Sequence, residues 1–167
     1  GGETERNGTY ILNFFKCQPA LNYGYGKINQ PWQKPTTDLA CLATVEAMKD
    51  VMRFWLDKGV SGFRMDVINT IAKQPGLPSW HPEKKGYQFA KEFMTNLPQS
   101  HAYIQELIGK LADDYDFITI GEGMMADNDA CALYAGEQRG ELNMMIMFDL
   151  HLQDCGPLGK YDFRKLY

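Results

Sequence analysis

The chain has 167 residues, 44% of them hydrophobic and 23% charged, and its 17 basic and 21 acidic side chains leave a formal charge of −4. That suits one globular domain or part of a larger one. The weakly acidic balance lacks the basic stripe of a nucleic-acid surface, and apolar runs such as Met144 to Phe148 fall far short of the ~20 residues a membrane helix needs.

Residues 1–36 read as irregular, with Pro19, Pro31 and Pro35, Gly24 and Gly26 and clustered Asn, interrupted by one strand-like piece from Thr9 to Phe15. From Asp38 to Lys58, apolar residues recur at Leu39, Leu42, Val45, Met48, Met52 and Trp55, the spacing of a helix with one buried face. Thr37 or Asp38 caps it, Gly59 stops it, and Phe54 and Trp55 are assigned to the core. Val60 to Val67 is a short buried strand. Residues 69–99 form a long excursion broken by Pro75, Pro78, Pro82 and Pro98, with a short helix near Tyr87 to Met94. Ser100 is expected to cap a second helix through Asp113. Phe117 to Ile120 is a second strand, Ala126 to Ala135 a third helix closed by Gly136, and Met144 to Phe148 a third strand. This alternation predicts an α/β fold with a parallel sheet and helices outside it, either doubly wound or part of a (β/α) barrel.

In such folds the active site lies where the strands end and the loops begin. Arg64 and Asp66, two apart on a mostly buried strand, share one face and are costly there unless they pair; pairing would keep Asp66 ionised, as a nucleophile must be. Glu122 directly follows the second strand and Gly121, whose small size is expected to admit a bulky substrate. If the two strands are neighbours, Asp66 and Glu122 share one mouth, and such a carboxyl pair is the equipment of a glycosidase. A structural salt bridge and a helix cap are the alternative readings of these residues. His81 and His151 fall in loops where they could touch sugar hydroxyls, whereas His101 reads as part of a helix cap. Tyr23, Tyr25, Trp32 and Trp80 are loop aromatics that could stack on sugar rings. The cysteines at 17, 41, 131 and 155 have no zinc-site spacing; they read as reduced thiols, and without a secretory pattern at the start the expected location is cytoplasmic.

The stretch Gly62-Phe63-Arg64-Met65-Asp66-Val67-Ile68-Asn69 resembles the signature around the nucleophile of the α-amylase family, glycoside hydrolase family 13, and within it the oligo-1,6-glucosidase and α-glucosidase branch. Gln18-Pro19-Ala20-Leu21-Asn22, Met52 to Gly59, Asn96 to Tyr103, Ile120-Gly121-Glu122, Leu133 to Glu137 and Met147-Phe148-Asp149 are similar to that branch in the same order. The resemblance implies a partial (β/α)8 TIM barrel, roughly strands four to six with their helices in residues 37–167, preceded in residues 1–36 by the end of an inserted loop-rich domain. It implies Asp66 as nucleophile, Glu122 as acid/base and Arg64 as the residue orienting the nucleophile. Val67 is the choice this branch makes for α-1,6-linked glucosides.

The activity so implied is retaining hydrolysis of short α-glucosides such as isomaltose. The substrate is a small oligosaccharide, with no nucleic-acid or membrane partner; no cofactor and no metal site are implied within this chain, and the oligomeric state stays open. Glu122-Gly123-Met124 and the residues after Phe148 depart from the branch pattern, so trehalose-6-phosphate hydrolases and sucrose isomerases of the same family stay in view. A non-catalytic relative, such as a transporter heavy-chain ectodomain, is the rival from another class. The family's other catalytic motifs are absent, so this segment alone is expected to be inactive.

Overall fold

A computed structural model describes residues 14–15, 17–78, 81–85 and 90–148. Its first regular element is helix α1 (Leu39–Leu56), whose start is fixed by Asp38: the carboxylate accepts the Ala40 N–H at 2.9 Å and also pairs with Lys34 at 3.0 Å. Gly59, at φ +89°, ends the helix in the left-handed conformation that favours glycine. The buried stripe consists of Cys41, Lys49, Met52 and Leu56. Phe54 and Trp55 are 54% and 48% exposed, packed edge-to-face on each other, so their assignment to the core is corrected. They sit beside a stripe that a lysine completes. The side chain of Lys49 is buried, and its ammonium reaches Glu106 at 2.7 Å.

Strand β1 (Gly62–Met65) is shorter than its apolar run, because the chain turns at Asp66 and Val67. A 3₁₀ turn, Ile68–Thr70, follows directly. The helix expected near Tyr87 falls partly outside the described residues; its described part is a 3₁₀ turn, Lys91–Phe93. Helix α2 (Pro98–Ala112) begins two residues before the expected cap, with Pro98 in its first turn, where a missing N–H costs nothing. Ser100 is therefore buried inside the helix rather than capping it. Strand β2 (Ile118–Gly123) runs further than expected and includes Glu122. Helix α3 (Asn128–Ala135) is capped by Asp127, which accepts the Ala130 N–H at 2.9 Å. Strand β3 (Met144–Met147) completes the set.

The three strands form one parallel sheet in the order β1-β2-β3, with Met65 opposite Gly121 and Gly121 opposite Met145. Thr119 and Asn143 pin the start of β2 to the start of β3. Asn143 Oδ1 accepts both the N–H and the hydroxyl of Thr119, at 2.8 and 2.9 Å, and the Asn143 N–H reaches Thr119 Oγ1 at 3.1 Å. The core lies between this sheet and the helices: Ile104 and Ile108 of α2, Tyr134 of α3, Ile68 and Leu142. At its edge Glu141, fully buried, sits between Arg139 at 2.9 Å, Gln105 at 3.0 Å and His101 Nδ1 at 2.7 Å. His101 thus ties α2 to the approach to β3 and stacks on Tyr134, instead of capping its helix. Among the described residues no helix is long and apolar enough to cross a membrane.

Candidate active site

Asp66 directly follows β1, and Glu122 is the penultimate residue of β2. Extending the register of Met65 with Gly121 by one residue sets the two acids beside each other at the carboxyl ends of neighbouring strands. Arg64, on β1, joins them. Its Nη1 donates to Asp66 Oδ1 at 2.5 Å and its Nη2 donates to Glu122 Oε1. The guanidinium stays cationic, its pKa raised above the ordinary value chiefly by the hydrogen bond to Asp66 and further by the charges of both acids.

The two carboxylates are differently placed. Glu122 is buried, its side chain 5% exposed, and its second oxygen accepts the Val67 N–H at 3.1 Å. A buried carboxylate needs both oxygens met in this way. Asp66 is 69% exposed, and among the described residues only its Oδ1 is engaged, by Arg64. Asp66 thus presents an open oxygen at the surface, whereas both oxygens of Glu122 are engaged.

Val67 provides the N–H that reaches Glu122 by adopting φ 34° and ψ 44°. A β-branched residue resists the left-handed region, at a cost on the order of 1–2 kcal/mol. What holds it there is the turn that follows: Val67 O accepts both the N–H and the hydroxyl of Thr70, each at 2.9 Å.

A further residue of this site was not singled out from the sequence. Asn69 is fully buried, and its amide brackets a single residue of the loop after β2: Nδ2 donates to Met124 O at 2.7 Å, and Oδ1 accepts the Met124 N–H at 3.1 Å. Its second Nδ2 hydrogen goes to Asn96 Oδ1 at 2.7 Å, while Asn96 Nδ2 donates to Met125 O at 2.7 Å. The available signal was a lone amide in the apolar run Val67-Ile68-Asn69-Thr70-Ile71, which is too costly to bury without partners.

Other expectations are corrected or fall elsewhere. A Cβ on Gly121 would meet Leu142 Cδ1 at 2.4 Å, Met145 Sδ at 2.6 Å and Ile68 Cγ2 at 2.9 Å. The space above Gly121 is therefore core, not substrate. His81 lies beside Glu83, its Nδ1 3.0 Å from Oε1, and its described contacts do not bring it to the two acids. His151 and Trp80 lie outside the described residues. Tyr23, Tyr25 and Trp32 line, with Tyr103, Lys73 and Leu77, a cavity of about 470 Å³ to which Arg64, Asp66 and Glu122 do not contribute. Burial pushes the Lys73 amine down to about 8 and the Tyr103 phenol up to about 12. Cys17 and Cys41 are free thiols. Among the described residues no cluster of His, Cys, Asp and Glu forms a metal site.

The chain is 38% identical over 164 residues to the oligo-1,6-glucosidase of Halalkalibacterium halodurans, covering 97% of this chain and 26% of that protein. Among solved structures it is similar to the trehalose-6-phosphate hydrolase of Bacillus licheniformis, with a TM-score of 0.64 at 28% identity over 80% of this chain and 25% of that one. It is also similar to a trehalulose synthase mutant in complex with Tris, with a TM-score of 0.61 at 38% identity over 75% of this chain and 22% of the other. The chain thus spans about a quarter of the length of the relatives it matches. Residues 2–165 match the model of the α-amylase catalytic domain, and with two acids at adjoining strand ends of a parallel sheet the chain belongs to the α-amylase family.

Proposed function

We propose that this chain is the central part of the catalytic barrel of a retaining α-glucosidase acting on short α-glucosides, with α-1,6 linkages preferred. Residues 37–167 would supply roughly strands four to six of the barrel, and residues 1–36 the end of an inserted domain. A cytoplasmic location fits the free thiols at Cys17 and Cys41. The observation that carries the reading is the single guanidinium of Arg64 held between Asp66 and Glu122. Two acids bound to one fork stand close together, which favours the retaining arrangement with its separation of about 5–5.5 Å.

In the first step the open oxygen of Asp66 attacks the anomeric carbon. The bond to the leaving oxygen breaks as Glu122, which must enter this step as the carboxylic acid with its contacts to Arg64 and the Val67 N–H rearranged, gives that oxygen its proton, and a covalent glucosyl ester remains on Asp66. In the second step Glu122 takes a proton from water, whose oxygen attacks the same carbon. The ester bond breaks, glucose leaves with its anomeric configuration retained, and Asp66 returns to the carboxylate. Arg64 orients the Asp66 oxygen that does not attack, and its charge favours the carboxylate as leaving group. Val67, held in its turn at the rim of the site, is the residue assigned to linkage choice.

The structural likeness to a trehalose-6-phosphate hydrolase and a trehalulose synthase gives a second reading, in which the same acid pair serves another α-glucoside. Retention of both acids and Arg64 weighs against a non-catalytic relative. The test is the full-length protein offered isomaltose, maltose, trehalose 6-phosphate and sucrose, with Asp66→Ala and Glu122→Gln alongside. Glucose from isomaltose, lost in both variants, is the expected result. Turnover of sucrose or the phosphorylated sugar alone would move the assignment to the second reading, and a folded protein that leaves all four intact would end the enzymatic one.

A further inference from the structure

Where β1 ends, its ladder with β2 ends too, because the chain turns away at Asp66 and Val67. Yet β2 continues through Glu122 to Gly123, and Met124 and Met125 follow as irregular backbone, with Met125 at φ 53°. The peptide groups of this stretch have lost the neighbour that held the first half of the strand. A side-chain carboxamide sets one of its two N–H donors beside its C=O acceptor in the same plane, the pair a neighbouring strand would present. Asn69 offers that pair to Met124, two residues past the acid, and passes its remaining hydrogen to Asn96, which holds Met125. Its backbone carbonyl also accepts the Asn96 N–H at 3.0 Å.

We propose that Asn69 is a positioning residue for Glu122: by pairing with the Met124 peptide it extends the β1–β2 ladder past the end of β1 and fixes the acid/base relative to Asp66. The inference rests on the glucosidase reading. Asn69 lies three residues from Asp66 on one strand's turn, and Met124 two residues from Glu122 on the next. The clamp therefore sets the offset between the two loops that carry the acids. Aspartate cannot replace it, because a carboxylate would face Met124 O and Asn96 Oδ1 with no hydrogen to give.

Acid positioning can be separated from general damage by the leaving group. Isomaltose releases a sugar alkoxide that must be protonated, whereas α-glucosyl fluoride releases fluoride without an acid, and kcat/KM reports only the first step. In the full-length protein, Asn69→Ser is expected to lower kcat/KM for isomaltose by about 100-fold, the lower range of a general-acid contribution, and for the fluoride by less than about fivefold, a loss too small to involve an acid. Asn96→Ala leaves the Asn69–Met124 pair in place and is expected to show the same selectivity with a smaller loss; it carries the test if Asn69→Ser does not fold. Equal losses on both substrates, or no loss on isomaltose in folded variants, would overturn the positioning role while leaving the glucosidase reading intact. A wild-type protein inactive on both substrates would remove the glucosidase reading, and the role of Asn69 with it.

Discussion

Alanine at Gly121 and alanine at Gly109 are the same chemical change with opposite expected signs. At Gly121 the new methyl meets Leu142 Cδ1, Met145 Sδ and Ile68 Cγ2, all within 2.4–2.9 Å. The first two are ends of flexible side chains, but Ile68 Cγ2 is the short branch of a β-branched residue whose χ1 is stiff, so it yields less readily. Overpacking of this kind costs about 1–3 kcal/mol, offset by roughly 0.5–1 kcal/mol from replacing glycine inside a strand, which leaves a net loss of about 1–2 kcal/mol. At Gly109, inside α2, nothing lies within 4 Å of the added methyl. There the helix gains about 0.8–1 kcal/mol. Denaturant melts of the full-length protein and its two variants measure the difference, expected to total about 2–3 kcal/mol. Because Gly121 adjoins Glu122, Gly121→Ala should also lose turnover of isomaltose while Gly109→Ala keeps it. Equal stabilities for the two variants would refute the packing described above β2.

Two further outcomes concern charges buried in the fold. The Lys73 amine titrates near 8 in the folded chain against 10.5 when exposed, because burial disfavours its charge. Below about 8 both states are protonated and the penalty is fully present; between there and 10.5 the unfolded chain holds the extra proton, so stability rises with pH. Lys73→Met should therefore be more stable than wild type at pH near 7, with the advantage shrinking by pH near 10; an advantage that stays constant would contradict the burial effect. Lys49 is buried and held by Glu106, whose side chain is 49% exposed. Glu106→Gln should cost about 1–2 kcal/mol, below the full value of a charged hydrogen bond because water screens the pair. Lys49→Met should stay within about 1 kcal/mol of wild type, since an apolar side chain of similar length removes the charge together with its need for a partner; thermal melts of both variants check the order.

The acids and their arginine were legible in the sequence because strand ends in a parallel fold collect function, and because an Arg-Asp pair two apart on an apolar strand demands an explanation. The three strands and the three α-helices appear in the expected order for the same kind of reason: their apolar spacing is local. What escaped was set by partners far along the chain. Val67 continues an apolar run and reads as strand, but the Thr70 bonds and the Glu122 carboxylate pull it into a turn that its own side chain disfavours. Lys49 falls outside the apolar spacing that marks α1, and its burial goes with the carboxylate that α2 supplies for its ammonium. Asn69 meets Asn96 and Met124 across 27 and 55 residues of sequence, so no local pattern could display its role. Gly121 was read as an opening for substrate because its neighbours Leu142 and Met145 arrive only with the next strand.

The Thr119–Asn143 pair lies at the opposite end of the sheet from the acids, where β2 and β3 begin. Its hydroxyl and amide fix the register of the two strands without help from the loops at the mouth. A slip by one residue would turn Glu122 to the other face of the sheet, so the address of the acid is written several residues upstream of it.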